Sequence, residues 1–237
     1  MRPALSILGF TFLALTGCLG DRFETQQASA RPQAPLSAQQ RAAAVVKKMG
    51  GTDTVAAIGT ETVVVGVDLH GSSVTDRGLA WLQAFPKLRE LNLYHTKVGD
   101  AGMANLGGMK NLSTLNLTGT KVGDAGLHQL VGLSQLRILY LAGTRITDAG
   151  LPSLRAFPNL QDLSLFETRV TDVGLAQLRV LKHLQKLTVG GKGITDRGLL
   201  ELRGLSELKE VDILDGTVTD AGIAALRRVL PHVQVVH

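Results

Sequence analysis

The chain has 237 residues; 44% of them are apolar but only 4% are aromatic, so a large buried core must be chiefly aliphatic. Its formal net charge of +5 is a weak bias over this length. A nucleic-acid-binding protein would concentrate its basic residues on one face beside stacking aromatics, so we expect no nucleic-acid partner. A single cysteine excludes an intramolecular disulfide framework and a cysteine zinc site, and no pattern predicts a cofactor.

The N-terminus has the composition of an export signal. Arg2 supplies a short positive start, and an apolar run follows over residues 4–15. That run is too short for a comfortable membrane span and has the proportions of a secretory signal. Its end reads Leu15-Thr16-Gly17-Cys18.

This junction resembles the bacterial lipobox, in which the peptide is cut before the cysteine and the thiol is acylated. The resemblance implies that residues 1–17 are a lipoprotein signal peptide and that Cys18 is the lipid anchor, since two or three acyl chains anchor a protein stably. Leu19 follows the cysteine, which by the enterobacterial sorting rule implies the outer rather than the inner membrane. The alternative is an ordinary signal peptide or short anchor that happens to contain Cys18.

Residues 18–36 are neither periodic nor strongly apolar, and we interpret them as a flexible tether. Residues 37–62 are predicted to form an N-terminal helical cap. Ser37 is placed as the N-cap of a helix over Ala38–Met49, which Gly50-Gly51 ends. Such a cap would cover the exposed core of the first unit of a solenoid.

Residues 63–237 repeat with a period of 24. Apolar pairs such as Leu91 and Leu93 alternate with polar residues, which predicts a short strand with one buried face, and apolar residues three apart after each aspartate predict a short helix. Strand and helix bury their apolar faces only by stacking on the next unit, strand beside parallel strand. An aspartate, with glycine two residues later, marks each of seven units: Asp76, Asp100, Asp124, Asp148, Asp172, Asp196 and Asp220.

These aspartates are interpreted as structural helix starts. A carboxylate there accepts from free backbone N–H groups and faces the positive end of the helix. The preceding threonine is an alternative N-cap, but Gly99 and Gly123 replace it in two units, which favours the aspartate. A stacked column of carboxylates could in principle bind Ca²⁺. This is disfavoured because each carboxylate would already accept hydrogen bonds from the backbone at the start of its helix.

The repeated L-x-x-L-x-L segment resembles the leucine-rich-repeat family over about residues 63–237. Residues Val98-Gly99-Asp100-Ala101-Gly102 resemble the helix start of the ribonuclease-inhibitor type, and the T-D-A-G-L version is similar to repeats of bacterial, notably planctomycete, proteins. The resemblance implies an α/β right-handed, curved solenoid of seven 24-residue repeats, with parallel strands on the concave face and short helices on the convex face.

The family's usual asparagine after the strand is absent. Four repeats have threonine there, which we expect to bond to the turn of a neighbouring repeat, whereas Lys192 and Gly216 cannot do so. We therefore expect the strand ladder to loosen in the last two repeats. The threonines are Thr96, Thr120, Thr144 and Thr168.

The outward strand positions hold small polar residues except near the middle of the sheet. The exceptions are Tyr94, Ile138, Tyr140 and Phe166. Exposed aromatics at the centre of a concave sheet suit a binding hot spot, and the alternative is that they pack sideways and stabilise the sheet. A second column, in the turns, is basic and is either a compensated surface stripe or an edge for an anionic partner: Lys97, Lys121, Arg145 and Arg169.

The leading hypothesis is a monomeric, lipid-anchored scaffold of the cell envelope that binds an unknown protein through its concave face. No phosphate-loop or HExxH pattern is present, so we expect no enzyme. The alternative is a structural or glycan-binding lipoprotein of the envelope.

Replacing Cys18 with serine removes the thiol that would be acylated, so Cys18→Ser should leave the chain uncleaved or soluble. Mass spectrometry of the purified N-terminus checks this. Cleavage at another position, with an unmodified Cys18 in the wild type, would refute the lipid anchor.

Overall fold

The computed structural model describes residues 36–58 and 60–237. The signal peptide 1–17, the anchor Cys18 and nearly all of the tether 18–36 therefore lie outside the described residues. None of the helices in the described part is both long and apolar enough to span a membrane.

The first helix, α1, spans Ala38–Lys48 and begins with a capping box, because Ser37 and Gln40 each bond through the side chain to the backbone N–H of the other. Gly50, which follows the helix, has a φ of +82° and so takes the left-handed conformation that glycine adopts without strain. The helix buries Ala42 and Val46 against the first repeat, where the sequence places a cap.

The cap is not purely helical, which corrects the prediction for residues 37–62. Strand β1, Thr52–Ile58, pairs antiparallel with β2, Glu61–Asp68, and forms one edge of the sheet. Its segment TDTVAAI has four β-branched residues, which suit a strand, but all seven residues are half-buried or exposed. The segment therefore lacks the alternating apolar pattern that would reveal a strand.

The sheet has nine strands in chain order, and every pair from β2 onward is parallel. Paired residues on neighbouring strands, such as Leu91 and Leu115, are 24 residues apart. The repeat in the sequence therefore sets the register of the sheet. The last strand, β9, continues the sheet beyond the seven repeats and was not predicted. The strands after β2 are β3 Glu90–Asn92, β4 Thr114–Asn116, β5 Ile138–Tyr140, β6 Asp162–Ser164, β7 Lys186–Gly190, β8 Glu210–Leu214 and β9 Gln234–Val236.

Short helices return the chain from each strand to the next. Six of the seven aspartates are the first residue of a helix; in the fourth repeat Asp148 lies in a turn and a 3₁₀ helix starts at Leu151. Pro152 lies in the first turn of that helix, the part of a helix that tolerates proline. The α-helices are α2 Asp100–Met103, α3 Asp124–Gln129, α4 Asp172–Leu175, α5 Asp196–Glu201 and α6 Asp220–Val229; the 3₁₀ helices are Asp76–Ala84, Leu151–Ala156, Ala176–Val180 and Leu202–Gly204.

One continuous core runs between the sheet and the helices. It is almost entirely leucine, isoleucine and valine, as the composition indicates. The largest fully buried side chains are Phe85 and Phe157, and Trp81 packs edge-on against Phe85 with ring centroids 5.9 Å apart.

The aspartates do not cap their own helices, and this corrects the N-cap interpretation. The N-cap is the residue before the aspartate, and Thr171 in that position accepts from the N–H of Val173. The carboxylate instead bonds to the next repeat: Thr171 donates its N–H and its hydroxyl to the two oxygens of Asp148, at 2.8 and 2.6 Å. We call these contacts the aspartate ladder; its pairs are Asp76–Gly99, Asp100–Gly123, Asp124–Thr147, Asp148–Thr171, Asp172–Thr195 and Asp196–Thr219.

The glycine two residues after each aspartate makes room for this ladder. A Cβ atom on Gly102 would lie 2.6 Å from Oδ1 of Asp76, and one on Gly126 would lie 2.5 Å from Oδ1 of Asp100. Real Cβ atoms essentially never come so close to another atom, so each aspartate requires a glycine in the following repeat. Gly78 has no preceding aspartate, and there a Cβ would meet Val74 instead.

The turn threonines bond within their own repeat, which corrects a second expectation. The Thr96 hydroxyl donates to the carbonyl of Leu93 at 2.8 Å, and the other three do the same in their own repeats. The strand pairing does not loosen near Lys192 and Gly216 as expected. Strands β7 and β8 pair over five residues, whereas β6 and β7 pair over three. Gly190 permits this longer pairing, since a Cβ there would collide with the Leu214 carbonyl oxygen.

The aspartate ladder predicts unequal effects for two aspartates that both begin an α-helix. Asp172→Ala removes two hydrogen bonds to Thr195 and should lower the free energy of unfolding by roughly 1–3 kcal/mol. Asp220→Ala should have little effect, because its side chain is 95% exposed and its contact in the described residues is an exposed pair with His237 at 3.3 Å. Denaturant unfolding of the two variants is the test; equal losses would mean that the aspartates act on their own helices.

Candidate interaction surface

The sheet turns one side toward the core and the other toward solvent. We call the solvent side the sheet face. Two columns of side chains on it follow the parallel register: Gly66, Glu90, Thr114, Ile138, Asp162, Lys186 and Glu210; and Asp68, Asn92, Asn116, Tyr140, Ser164, Thr188 and Asp212.

The four residues predicted as a binding site all lie on this side but do not form one stacked patch. Tyr94 is 40% exposed, and its ring stands edge-on to His95 at a centroid distance of 4.2 Å. Phe166 is half-buried and lies over Gly190, where a Cβ would be 2.9 Å from its ring. Among the described residues, no ring stacking joins Tyr140 to Phe166.

Tyr140 is bound to the neighbouring strand through its hydroxyl, which donates to Oδ2 of Asp162 at 2.9 Å. Burial, followed by this hydrogen bond, raises the pKa of Tyr140 to about 12. Burial also raises the pKa of Asp162, although the hydrogen bond from Tyr140 acts in the opposite direction. Oδ1 of Asp162 is buried and has no protein partner. Tyr140 and Asp162 therefore form a hydrogen bond between neighbouring strands, and Oδ1 of Asp162 accepts no hydrogen bond from the protein.

Lys186 is the neighbour of Asp162 in the register, yet its ammonium pairs on the other side. It lies 2.6 Å from Glu210 and 3.3 Å from Asp212, and the hydrogen bond to Glu210 is the main reason that its pKa is raised to about 12. Because these contacts hold Lys186, it offers Asp162 no direct ion pair. The two columns of the sheet face contain this one cation and five carboxylates, so the face is acidic: Asp68, Glu90, Asp162, Glu210 and Asp212.

A hollow of about 340 Å³ lies on the sheet face between β1 and β5, with Glu90 and Tyr140 in its wall. Asn92 and Asn116 also line it, and each uses its side-chain oxygen to accept a backbone N–H two residues later. Their amide nitrogens remain as donors. Within the described residues no group of three or more His, Cys, Asp or Glu side chains is placed to hold a metal ion. The hollow offers hydrogen bonds and negative charge.

Comparison with known proteins identifies this architecture. The family model for the leucine rich repeat matches residues 86–146. The fold is similar to internalin C2 from Listeria monocytogenes, with 25% identity, a TM-score of 0.62 and coverage of 84% of this chain and 82% of that one. The chain has the fold of a leucine-rich-repeat solenoid. Internalin F from the same organism is 22% identical with the same TM-score, over 82% of this chain and 53% of its own. No curated protein sequence matches.

The α/β leucine-rich-repeat solenoid predicted from the sequence is confirmed. The signal peptide and the planctomycete type of the repeat stay predictions. The sequence analysis did not single out Asp162, Lys186 and Glu210, which the structure places side by side in one column of the sheet face. Three charged residues at successive 24-residue intervals were the available signal, because parallel register makes such residues neighbours.

The raised pKa of Asp162 predicts a pH-dependent effect on stability. The folded protein binds the Asp162 proton more tightly than the unfolded chain, so this stabilisation is complete below the ordinary aspartate pKa and is lost as pH rises through the raised value. Asp162→Asn imitates the neutral acid and should be more stable than wild type at neutral pH, with the difference vanishing in acid. Denaturant unfolding across that pH range measures it.

Tyr140→Phe is the matching variant, because it removes the hydrogen bond that favours the ionised carboxylate. It should destabilise the protein most at neutral pH and shift the carboxyl titration of Asp162 further upward in NMR. An unchanged titration would mean that the hydrogen bond from Tyr140 does not lower the pKa of Asp162.

Proposed function

We propose that this leucine-rich-repeat protein is a non-catalytic scaffold that binds another protein through the sheet face. The observation that carries the proposal is the presence of Tyr94, Ile138, Tyr140 and Phe166, exposed or half-buried, in the middle of a face whose other residues are mostly polar or acidic. A few aromatic side chains of this kind supply most of the free energy of a protein contact. Solenoids present such extended surfaces to their partners.

The charge of the sheet face favours a basic partner. Five carboxylates surround the aromatic residues, and the one cation, Lys186, is already paired with Glu210 and Asp212. Lysine or arginine side chains of the bound protein would be attracted to these carboxylates, which favours the encounter and the specificity of the complex.

The proposal includes attachment to the cell envelope through Cys18, with the outer membrane favoured, and a monomeric state. Its support is the junction Leu15-Thr16-Gly17-Cys18. The tether 18–36 would then hold the sheet face away from the lipid surface.

A structural or glycan-binding envelope lipoprotein is the second candidate. The hollow between β1 and β5 favours it, because the amides of Asn92 and Asn116 and the ring of Tyr140 can hydrogen-bond to and stack on a sugar. A glycan partner would occupy this hollow, whereas a protein would also cover Phe166.

The test begins with a photo-cross-linking residue at Ser164, which lies beside Tyr140 on the sheet face, in cells that produce the full chain. A matched probe at Arg155, exposed on the helical side, is the control. A protein cross-linked from Ser164 and absent from Arg155 supports the proposal and identifies the partner. Equal capture from both positions contradicts it.

With that partner, Tyr140→Ala and Phe166→Ala should each weaken binding tenfold or more, which corresponds to at least about 1.4 kcal/mol. Leu214→Ala removes an exposed apolar side chain from the end of the sheet, away from the aromatic residues, and should leave the affinity unchanged. Affinity and melting temperature are measured on the same variants. Lower melting temperatures with unchanged affinity would mean that the aromatic residues only brace the sheet.

A further inference from the structure

A row of basic side chains runs along the turns that follow the strands. Each precedes its repeat's aspartate by three residues, and we call Lys97, Lys121, Arg145 and Arg169 the basic row. Parallel bridges join Gly99 to Lys121, Gly123 to Arg145 and Thr147 to Arg169, so successive repeats remain in register here as they do in the sheet. Neighbouring repeats in such a stack are about 4.8 Å apart.

The basic row has no counter-charge in direct contact. All four side chains are exposed, and among the described residues no carboxylate oxygen lies within 4.0 Å of their charged nitrogens. The aspartates nearby are engaged elsewhere, because Thr147 holds both oxygens of Asp124 and Thr171 holds both oxygens of Asp148. A direct ion pair between these aspartates and the row would require breaking bonds of the aspartate ladder, so any compensation of the row by the aspartates acts without contact.

The turns beside the two central cations contain Gly119 and Gly143, which precede Lys121 and Arg145 by two residues and have φ values of +69° and +63°, where glycine is favoured. The ring of His95 lies over Gly119, and a carboxylate oxygen of Glu167 lies 3.8 Å from the position of a Cβ on Gly143. Glu167 therefore brings a negative charge beside the turns of Arg145 and Arg169, and the row is most strongly basic at Lys97 and Lys121.

We propose that the basic row binds a linear anionic polysaccharide with one carboxylate on each sugar. Like charges stacked one repeat apart repel each other, and a polymer that repeats its charge at nearly the strand spacing relieves this repulsion at every step. The guanidinium of Arg145 can bind a carboxylate through two parallel hydrogen bonds. A single file of cations along one edge matches a linear ligand better than the plane of lipid headgroups, and the site is separate from the sheet face.

The experiment measures binding of the full chain, in detergent, to oligogalacturonate by calorimetry at low salt. Lys121→Gln combined with Arg145→Gln should weaken binding tenfold or more. Arg89→Gln combined with Arg137→Gln removes the same charge from exposed positions outside the row and should change the affinity less than twofold. Tyr140→Ala should bind as the wild type does, because it alters only the sheet face. Added salt should weaken the wild-type complex.

Four results would overturn the proposal. The first is no binding of oligogalacturonate by the wild type, and the second is equal loss in the two double variants, which would show only a dependence on net charge. The third is that the wild type binds vesicles containing phosphatidylglycerol but not oligogalacturonate, and that Lys121→Gln combined with Arg145→Gln abolishes the vesicle binding. The row would then be a contact for lipid headgroups. A loss in Tyr140→Ala would place the glycan on the sheet face and also contradict the proposal.

Discussion

The contact between an aspartate and the glycine of the next repeat is the constraint on which the stacking depends. The carboxylate of Asp76 fills the space that a Cβ on Gly102 would occupy and accepts the N–H of Gly99. The same arrangement recurs at every interface between repeats, up to Asp196 and Gly222. Because each link spans a fixed number of residues, the period stays at 24, and the strands, the sheet face and the basic row all remain aligned.

Patterns within one repeat predict most of the fold, whereas contacts between repeats are harder to predict. Alternating leucines place the strands and the outward columns because they depend on local periodicity. The aspartate was misassigned as an N-cap, since a helix-start rule considers only neighbours in the chain and the true partner, as with Asp148 and Thr171, is 23 residues away. Strand β1 was missed because it lies outside the repeat and lacks its pattern. Strand β9 follows β8 at the same 24-residue interval and was missed because His232 and His237 stand where the preceding repeat has Leu208 and Ile213.

In the candidate site, too, the sequence predicts which side of the sheet a residue lies on but not its contacts with neighbouring repeats. Period and alternation place Tyr140 and Phe166 on the solvent side of the sheet. They do not reveal that Tyr140 donates to Asp162, or that Phe166 lies over Gly190, because both contacts join neighbouring strands through side-chain conformations. These contacts give the aromatic residues a structural role beside the binding role proposed for them, and they divide the expected apolar patch into separate parts set among carboxylates.

The aspartate ladder is open at both ends of the repeat array. Among the described residues no carboxylate fills the space at Gly78, and Asp220 contacts His237 instead of another repeat. Every internal unit brings one aspartate for its successor and one glycine for its predecessor, so adding or deleting a whole unit leaves all remaining interfaces complete. Tandem duplication within the gene can thus lengthen the protein without a compensating mutation, whereas an insertion of any other length breaks a link on each side. Selection acting on array length therefore works in steps of one repeat.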